Sequence, residues 1–232
     1  MNIRDVIAKA RSENRTALDE FAGKQLLAAY GVSVPKSVVI NSADQTAAAF
    51  AKLTPPLVLK VVSPDILHKS DAGGVRVNLK SNTEAQEAIR QMMSAPAIRD
   101  ARIDGFLLEE MAPAGQEMVI GAVNDPQFGP LVMVGLGGIF VEVLADVAFR
   151  ICPITRLDAQ EMLAELKGAA ILEGIRGGKP VSRDAMVDAL LKIGGGDGLL
   201  MRHANDFKEA DINPLIVSES GAVAVDARFV LT

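Results

Sequence analysis

The chain has 232 residues, of which 49% are hydrophobic and 23% are charged, a composition typical of a globular protein with one large or two small domains. Its formal net charge is −5, it contains no Trp and one Tyr, and its basic residues do not cluster. These features argue against a dedicated surface for nucleic acid or for an anionic membrane.

The expected location in the cell follows from three further features. Cys152 is the only cysteine, so no internal disulfide can form, as is usual in a reducing cytosol. The charged N-terminus lacks the apolar run of a signal peptide. The most apolar stretch, residues 131–149, is interrupted by glycines and by two acidic side chains, which argues against a membrane span. We therefore expect a cytoplasmic protein.

The first half of the chain alternates between helix and strand patterns. Apolar residues recur at helical spacing from Asp5 to Tyr30, and the apolar run Leu57–Val62 is typical of a buried strand. The other predicted elements are strands at 34–40, 75–79 and 105–111 and helices at 42–53 and 82–93. From residue 34 onward the order is β-α-β-β-α-β, that of a split α/β unit.

The second half is predicted to be richer in antiparallel strands joined by Gly and Pro turns. The predicted elements are strands at 116–123, 131–136 and 147–152, helices at 159–166 and 183–191, and a terminal hairpin at 210–217 and 222–230. No long linker separates the halves. The whole pattern predicts an α/β (α+β) protein.

The terminal hairpin has a register that can be counted from its turn. A four-residue turn at 218–221 predicts three pairs: Val217 with Ala222, Asn213 with Asp226, and Asp211 with Arg228. The opposite face is predicted to be apolar and packed, with Ile212, Pro214, Ile216, Val223, Val225 and Phe229.

A carboxylate opposite an amide oxygen is a donor set that Mg²⁺ takes when phosphates complete its shell, so Asn213 and Asp226 are the candidate metal ligands. An ordinary solvated hairpin face is the alternative, and a register slip of one residue would remove the pairing.

Lys60 lies inside the apolar run 57–62 and must have a counter-charge, because burying an unpaired ammonium is costly. The sequence leaves two partners equally open, a bound phosphate and a structural carboxylate.

His68 is one of only two histidines, and it precedes Lys69 and the pair Gly73-Gly74. Neutral imidazole is nucleophilic near pH 7, and the lysine and the backbone amides of the glycines could stabilise a phosphoryl group. A structural or surface histidine is the alternative. The other histidine, His203, lacks such neighbours and is interpreted as structural.

Two further segments could contact a nucleotide. The strand-loop-strand segment from Glu110 to Glu117 could offer backbone groups to a purine edge and a carboxylate to a ribose, with ordinary surface carboxylates as the alternative. Gly137-Gly138 resembles Gly73-Gly74 as a turn whose backbone could approach a phosphate. Neither glycine pair matches a P-loop or a dinucleotide fingerprint.

Several motifs in order give the chain a family resemblance. They are Leu27–Pro35, Val58–Lys60, His68–Val75, Glu110-Met111, Asp125–Pro130, Gly135–Glu142 and Asp211–Leu215. As a set they resemble the ATP-grasp β subunit of NDP-forming acyl-CoA synthetases, the acetate–CoA ligase (ADP-forming) family. The resemblance implies an ATP-grasp fold of two α/β lobes with the nucleotide between them. The small lobe is expected at 24–112 and the large lobe at 1–23 and 113–232.

The resemblance also implies residue roles. It makes His68 the phosphohistidine of this subunit, with Lys69, Gly73, Gly74, Gly137 and Gly138 as candidate phosphate contacts. It assigns nucleotide binding to Lys60, Glu110, Met111, Pro113, Glu117 and Arg228, and Mg²⁺ binding to Asn213 and Asp226. The cofactors are ATP/ADP, with GTP/GDP as an alternative, and Mg²⁺. The chain departs from the family at Ile175, where a Tyr is frequent, which leaves Arg176 without an assigned role.

The resemblance implies a function and a partner. The function is interconversion of acyl-CoA, ADP and phosphate with free acid, CoA and ATP through a phosphohistidine relay. The sequence contains no identifiable CoA-binding domain, so the partner is a CoA-binding α subunit with its own phosphohistidine, in an assembly such as a heterotetramer, or the chain is one domain of a longer protein. The alternatives are an ATP-grasp carboxylate–amine or carboxylate–thiol ligase that forms its acyl phosphate directly, and a non-catalytic nucleotide-binding regulatory domain.

Overall fold

The computed structural model describes residues 3–66, 68–138, 145–174 and 179–232. The chain divides into two compact units, one formed by Met1–Val34 with Pro113–Thr232 and the other by Pro35–Ala112. The small lobe was expected to begin at residue 24, whereas the structure assigns residues 24–34 to the larger unit. The reason is that Leu26 and Leu27 are buried in the core of the larger unit.

The smaller unit is a four-stranded antiparallel sheet in the order β1-β4-β2-β3, with helices packed on it. Its strands are β1 (Ser37–Ile40), β2 (Leu57–Val62), β3 (Val75–Leu79) and β4 (Gly105–Glu110), and its helices are α3 (Thr46–Phe50), α4 (Asn82–Ser94) and α5 (Pro96–Arg99). All six residues of β2 are buried, which explains why its sequence is a continuous apolar run broken only by Lys60.

Helix α4 shows how the sequence specifies this unit. The Ser81 side chain caps the helix by accepting the N–H of Glu84, which satisfies one of the free donors of the first turn. Ala85, Ala88, Ile89 and Met92 recur at helical spacing and are buried against the sheet. The helix predicted at 42–53 is shorter than expected, since a 3₁₀ turn at Ala43–Gln45 precedes α3.

The larger unit contains a six-stranded antiparallel sheet in the order β10-β8-β5-β6-β7, with β9 pairing with β8. Its strands are β5 (Gln116–Asp125), β6 (Gly129–Leu136), β7 (Val147–Ile151), β8 (Phe207–Ser218), β9 (Gly221–Ala224) and β10 (Arg228–Leu231). Its helices are α1 (Ile3–Ser12), α2 (Glu20–Ala29), α6 (Arg156–Glu165), α7 (Arg183–Gly194) and α8 (Leu199–Arg202).

The helical pattern predicted over 5–30 corresponds to two separate helices, α1 and α2, with a break between them. Asn14 has a positive φ of 53°, which ends the first helix, and the Asp19 side chain caps the second by accepting the N–H of Ala22. Between the helices, Ala17 bridges to Val230 of β10. The break therefore attaches the N-terminal segment to the edge of the sheet.

Within the described residues, no helix has the length and apolarity needed to cross a membrane.

Candidate functional site

Lys60 has a carboxylate partner inside the smaller unit. Its Nζ lies 2.6 Å from Oε1 of Glu109, and both side chains are buried. Lys60 pairs with Leu107 and Val58 pairs with Glu109, so the two charged residues are diagonal neighbours on one face of adjacent strands. Of the two partners left open by the sequence, the structural carboxylate is present. A phosphate contact of Lys60 stays a prediction.

The end of β4 carries the segment predicted to read the adenine. The backbone N–H of Glu110 donates to the carbonyl of Lys36 (2.9 Å), and its Oε1 accepts the N–H of Thr54 (2.8 Å). These bonds fix the strand end and use one oxygen of the Glu110 carboxylate. Met111 and Pro113 are exposed. Their backbone and side chains are therefore accessible, as a nucleotide contact requires.

His68 lies in a loop that is fastened to β2. The carbonyl of Gly74 accepts the N–H of Val61 (2.8 Å), and the carbonyl of His68 accepts the N–H of Ala72 (3.1 Å). The histidine itself is exposed, while Leu67 lies outside the described residues. An exposed imidazole on an anchored loop can reach a reactant without losing its attachment to the sheet.

The two glycines of this loop shape it and use their own amides to do so. The N–H of Gly73 donates to the carbonyl of Ser70 (3.1 Å), and the N–H of Gly74 donates to the carbonyl of Lys69 (2.7 Å). Gly73 has a φ of 74°, which favours glycine. Both amides are used within the loop, and a phosphate contact of Gly73 and Gly74 stays a prediction. Lys69, adjacent to His68, stays the candidate source of positive charge in the loop.

In the larger unit, Glu117 lies against the second glycine pair. The N–H of Gly137 donates to the carbonyl of Glu117 (2.7 Å), and a Cβ at position 137 would lie 2.8 Å from the Glu117 Cβ. Position 138 is close to the same side chain, since a Cβ there would be 3.9 Å from Oε2. Glycine is thus required at 137 for this close approach. Residues 139–142 of the same motif lie outside the described residues.

The terminal hairpin has the predicted register on both sides of its interruption. The observed pairs are Val217 with Ala222, Leu215 with Ala224, and Asp211 with Arg228. Residues 225–227, between β9 and β10, belong to neither strand. Because the same register holds before and after them, Asn213 lies across from Asp226.

The prediction of which hairpin side chains are buried is wrong at the end of the hairpin next to its turn. Ala210 and Ile212 are buried, but so are Leu215 and Val217, so the alternation shifts by one between them. The cause is an irregularity where β8 pairs with β5, since Met118 is opposite Leu215 and Ile120 is opposite Ile212. The residues predicted to be packed but only half-buried are Pro214, Ile216, Val223 and Val225.

Asp211 is more than half buried and has two other carboxylates near it, those of Asp226 and Glu209. Desolvation raises the pKa of this carboxyl, as do the nearby charges of Asp226 and Glu209, while Arg228 lowers it. A raised pKa means that the ionised carboxylate is disfavoured in the site as it stands. A cation at this face would relieve the repulsion.

This face fits a magnesium ion that is held partly by phosphates. The donor chemistry is the carboxylate of Asp226 and the amide oxygen of Asn213, both hard oxygen ligands. Among the described residues there is no group of three or more His, Cys, Asp or Glu that could hold a metal by itself. Two protein ligands with the rest of the shell from a substrate is the arrangement usual for Mg²⁺ in phosphoryl-transfer sites.

His203 lies in a structural setting, as predicted. Its Nδ1 is 2.9 Å from a carboxylate oxygen of Asp206, and its ring packs edge-on against Tyr30 and tilted against Phe207. Glu109 was not predicted from the sequence as the partner of Lys60, although a carboxylate two residues before the predicted end of a neighbouring strand was a usable signal. Arg176 lies outside the described residues.

Comparison with known families agrees with this architecture. A model of the ATP-grasp domain matches residues 9–231, nearly the whole chain, and the chain therefore belongs to the ATP-grasp family. Among its relatives is the β subunit of acetate–CoA ligase (ADP-forming) I from Pyrococcus furiosus. It is 45% identical over 230 residues, which are 98% of this chain and 97% of the relative.

Other relatives contain this domain within a longer protein. Acetate–CoA ligase (ADP-forming) I from Archaeoglobus fulgidus is 44% identical over 211 residues, 90% of this chain but only 30% of that protein. The chain therefore spans nearly all of some curated relatives and about a third of others.

Two solved structures have the same fold over their whole length, both of the dinucleotide-forming acetyl-coenzyme A synthetase 1 of Candidatus Korarchaeum cryptofilum. One, in complex with coenzyme A and Ca-AMPCP, has a TM-score of 0.94 at 39% identity and 100% coverage of both chains. The other, with coenzyme A and Mg-AMPPCP, is described with its phosphohistidine segment pointing towards the nucleotide binding site. Its TM-score is 0.84 at 38% identity, again with 100% coverage of both chains.

Proposed function

We propose that the chain is the nucleotide-binding subunit, or the corresponding domain, of an ADP-forming acyl-CoA synthetase, an acid–thiol ligase. The enzyme interconverts acyl-CoA, ADP and phosphate with free acid, CoA and ATP through a phosphohistidine. The observation that carries this proposal is His68, exposed on a loop fastened to β2, in a chain that matches a β subunit of such a ligase along nearly its whole length.

His68 acts as the phosphoryl carrier. An unprotonated ring nitrogen of His68 attacks the γ-phosphorus of ATP, the bond from that phosphorus to the β–γ bridging oxygen breaks, and ADP leaves with the electron pair. The reverse reaction, attack by the β-phosphate of ADP on the phosphohistidine, returns the histidine and forms ATP. Lys69 supplies positive charge beside the carrier. The loop fastening at Gly74 limits how far His68 can move from β2.

The other predicted residues bind the nucleotide and the metal. Glu110, Met111 and Pro113 provide the adenine contacts and Glu117 the ribose contact, which is supported by the exposure of Met111, Pro113 and Glu117. Asn213 and Asp226 hold Mg²⁺, which neutralises phosphate charge when bound. Their support is the register that pairs them and the unfavourable charge around Asp211.

Lys60 and Arg228 are the proposed phosphate contacts. Lys60 is held by Glu109, which leaves its ammonium fixed in position, and a fixed cation is what a phosphate site requires. Arg228 is exposed and lies opposite Asp211 in the register of β10 with β8. GTP in place of ATP would use the same phosphate contacts and differ only at Glu110, Met111 and Pro113.

The partner is a CoA-binding subunit with its own phosphohistidine. Relatives that are named β subunits, and relatives about three times longer than the matched region, support a second component, either separate or fused. Purification of the chain from its native host is expected to recover a CoA-binding protein with it. Recovery of the chain alone, fully active with acyl-CoA, would contradict this part of the proposal.

The phosphohistidine is tested by incubation with γ-labelled ATP and Mg²⁺, in the presence of the partner if one copurifies. Acid-labile label is expected on the wild-type chain and not on His68→Ala. His203→Ala is the matched control, since it removes the only other histidine, and it is expected to keep the label. Equal labelling of the wild type and His68→Ala would exclude the relay.

A further inference from the structure

The larger unit contains a buried ion pair that the proposed chemistry does not use. In α2, Nζ of Lys24 lies 2.8 Å from Oε1 of Glu20, one helical turn earlier, and the side chains are 1% and 3% exposed. A buried pair of this kind is weak evidence for stability, because both charges lose their hydration. Its presence on the buried side of the helix calls for another explanation.

Lys24 also makes a hydrogen bond to the segment that carries Asp226. Its Nζ donates to the carbonyl of Val225 at 3.3 Å. Val225 immediately precedes the proposed metal ligand, in the stretch 225–227 that belongs to neither β9 nor β10. A backbone outside a ladder lacks the regular hydrogen bonds that fix a strand, so individual contacts determine where its side chains point.

The same segment is held at two more points. The N–H of Val225 donates to the carbonyl of Pro214 (3.0 Å), the residue after Asn213. On the helix side, a Cβ at Gly23 would lie 2.8 Å from the carbonyl oxygen of Ala227, so the backbone of α2 sits directly on the segment. Val225 is thus held between α2 and the strand that carries the other proposed ligand.

We propose that Glu20 and Lys24 are positioning residues for the metal site, an inference that rests on the proposed function. Glu20 orients the ammonium of Lys24, and Lys24 holds the Val225 carbonyl, which fixes the Asp226 carboxylate across from Asn213. The pair does not contact the metal. It orients a ligand, as the hydrogen-bonded partners of metal ligands generally do.

The test asks whether metal binding depends on the hydrogen-bond donor at Lys24 or only on the stability of α2. In the donor-deleted variant, Glu20→Leu with Lys24→Met, apolar side chains of similar size replace the pair, a change that folds tolerate well. In the donor-retaining variant, Lys24→Arg, the guanidinium keeps a positive charge beside Glu20 and is long enough for an N–H to donate to the Val225 carbonyl. Leu27→Ala is the stability control, because Leu27 is fully buried on the same helix. Asp226→Asn tests the metal site itself.

The measurement is the Kd of Mn²⁺, followed by electron paramagnetic resonance with saturating AMPPCP, together with the thermal midpoint and the hydrogen exchange of residues 225–227. We expect the donor-deleted variant to keep its thermal midpoint, to bind Mn²⁺ about 10-fold more weakly and to exchange faster at 225–227. The donor-retaining variant should stay within about 2-fold of the wild type. Leu27→Ala should lose stability without a change in the Mn²⁺ Kd.

The outcomes distinguish this inference from the function on which it rests. Wild-type Mn²⁺ affinity in the donor-deleted variant, with weakened binding in Asp226→Asn, would overturn the positioning role alone. Unchanged binding in Asp226→Asn would overturn the metal site and the inference together. If the donor-deleted variant does not fold, Glu20→Gln with Lys24→Met takes its place. Equal Mn²⁺ affinity of that variant and the donor-retaining one would likewise overturn the inference.

Discussion

Lys60 shows what a single charged residue does inside a buried strand. Its ammonium and the Glu109 carboxylate neutralise each other, and removal of one partner leaves the other charge buried without compensation. We therefore expect Lys60→Met to lower the free energy of unfolding by about 3–5 kcal/mol, measured by denaturant titration. Lys60→Met combined with Glu109→Leu should recover most of that loss.

The double variant also separates the two tasks of Lys60. If Lys60 contacts nucleotide phosphates, the refolded double variant binds ATP more weakly than the wild type although its stability is restored. The exposed Lys52 is the control, since Lys52→Met is expected to change the free energy of unfolding by less than about 0.5 kcal/mol. A loss at Lys60→Met as small as that of Lys52→Met would contradict a buried, energetically coupled pair.

Asp211 gives the molecule a dependence on pH with a definite sign. A carboxyl whose pKa is higher in the folded than in the unfolded chain binds its proton more tightly when folded. The proton on Asp211 therefore stabilises the folded chain at a pH below the ordinary pKa of an Asp. This stabilisation is lost as the pH rises through the higher pKa that Asp211 has in the folded chain. Replacement by Asn removes this loss.

We accordingly expect Asp211→Asn to be stabilising relative to the wild type at pH 7 and less so at pH 4. The measurement is the thermal midpoint of both proteins across that range in the absence of Mg²⁺, which would itself lower the repulsion. Asp44→Asn, at an exposed position outside this face, is the control. The same difference in midpoint at both pH values would show that the raised pKa of Asp211 does not contribute.

Among the elements, the loop at 68–74 is the one whose geometry the chemistry needs most. A Cβ at Gly74 would lie 2.5 Å from Cγ1 of Val61 and 3.1 Å from the carbonyl oxygen of Lys69, so the loop or the strand must shift to accept it. We expect Gly74→Ala to cost about 1–3 kcal/mol and to reduce the labelling of His68. Gly196→Ala, where a Cβ meets nothing within 4 Å, should do neither. Full labelling of Gly74→Ala would mean that the loop tolerates displacement.

The sequence predicts elements well where their signals are local. The register of the terminal hairpin follows from its own turn, which is why Val217 pairs with Ala222 as counted. The shift of faces at Asn213 was not predictable, because it arises from the pairing of β8 with β5, about 95 residues earlier in the chain. The break between α1 and α2 did have a local signal, the capping side chain of Asp19, but the apolar spacing on either side masked it.

The candidate site shows the same division. The types of residue that carry it, a histidine, a lysine in a strand and a paired amide and carboxylate, are visible in the sequence. The partner of Lys60 and the tie from Lys24 to Val225 are not, because each joins residues that meet only in the folded chain. Contacts of this kind depend on tertiary packing, which no local pattern encodes.

At the scale of the whole molecule, each unit has its own hydrophobic core. Leu59 is buried in the core of the smaller unit and Leu190 in that of the larger unit. We expect Leu59→Ala and Leu190→Ala each to cost about 2–5 kcal/mol, with faster hydrogen exchange concentrated in residues 35–112 for the first and outside them for the second. A uniform rise in exchange over both units in either variant would show that they unfold together.

The division into units also sets an order of events during synthesis. The smaller unit is one continuous stretch and has all its strands once residue 110 is made, whereas the larger unit is completed only by β10. Leu18, just before α2, bonds to Phe229, a residue 1% exposed in the core. At about 5–20 residues per second, the ribosome delivers Phe229 roughly 10–40 s after Leu18. The segment before α2 is therefore translated well before the strand β10 to which it bonds, and until then it lacks this partner in the folded core.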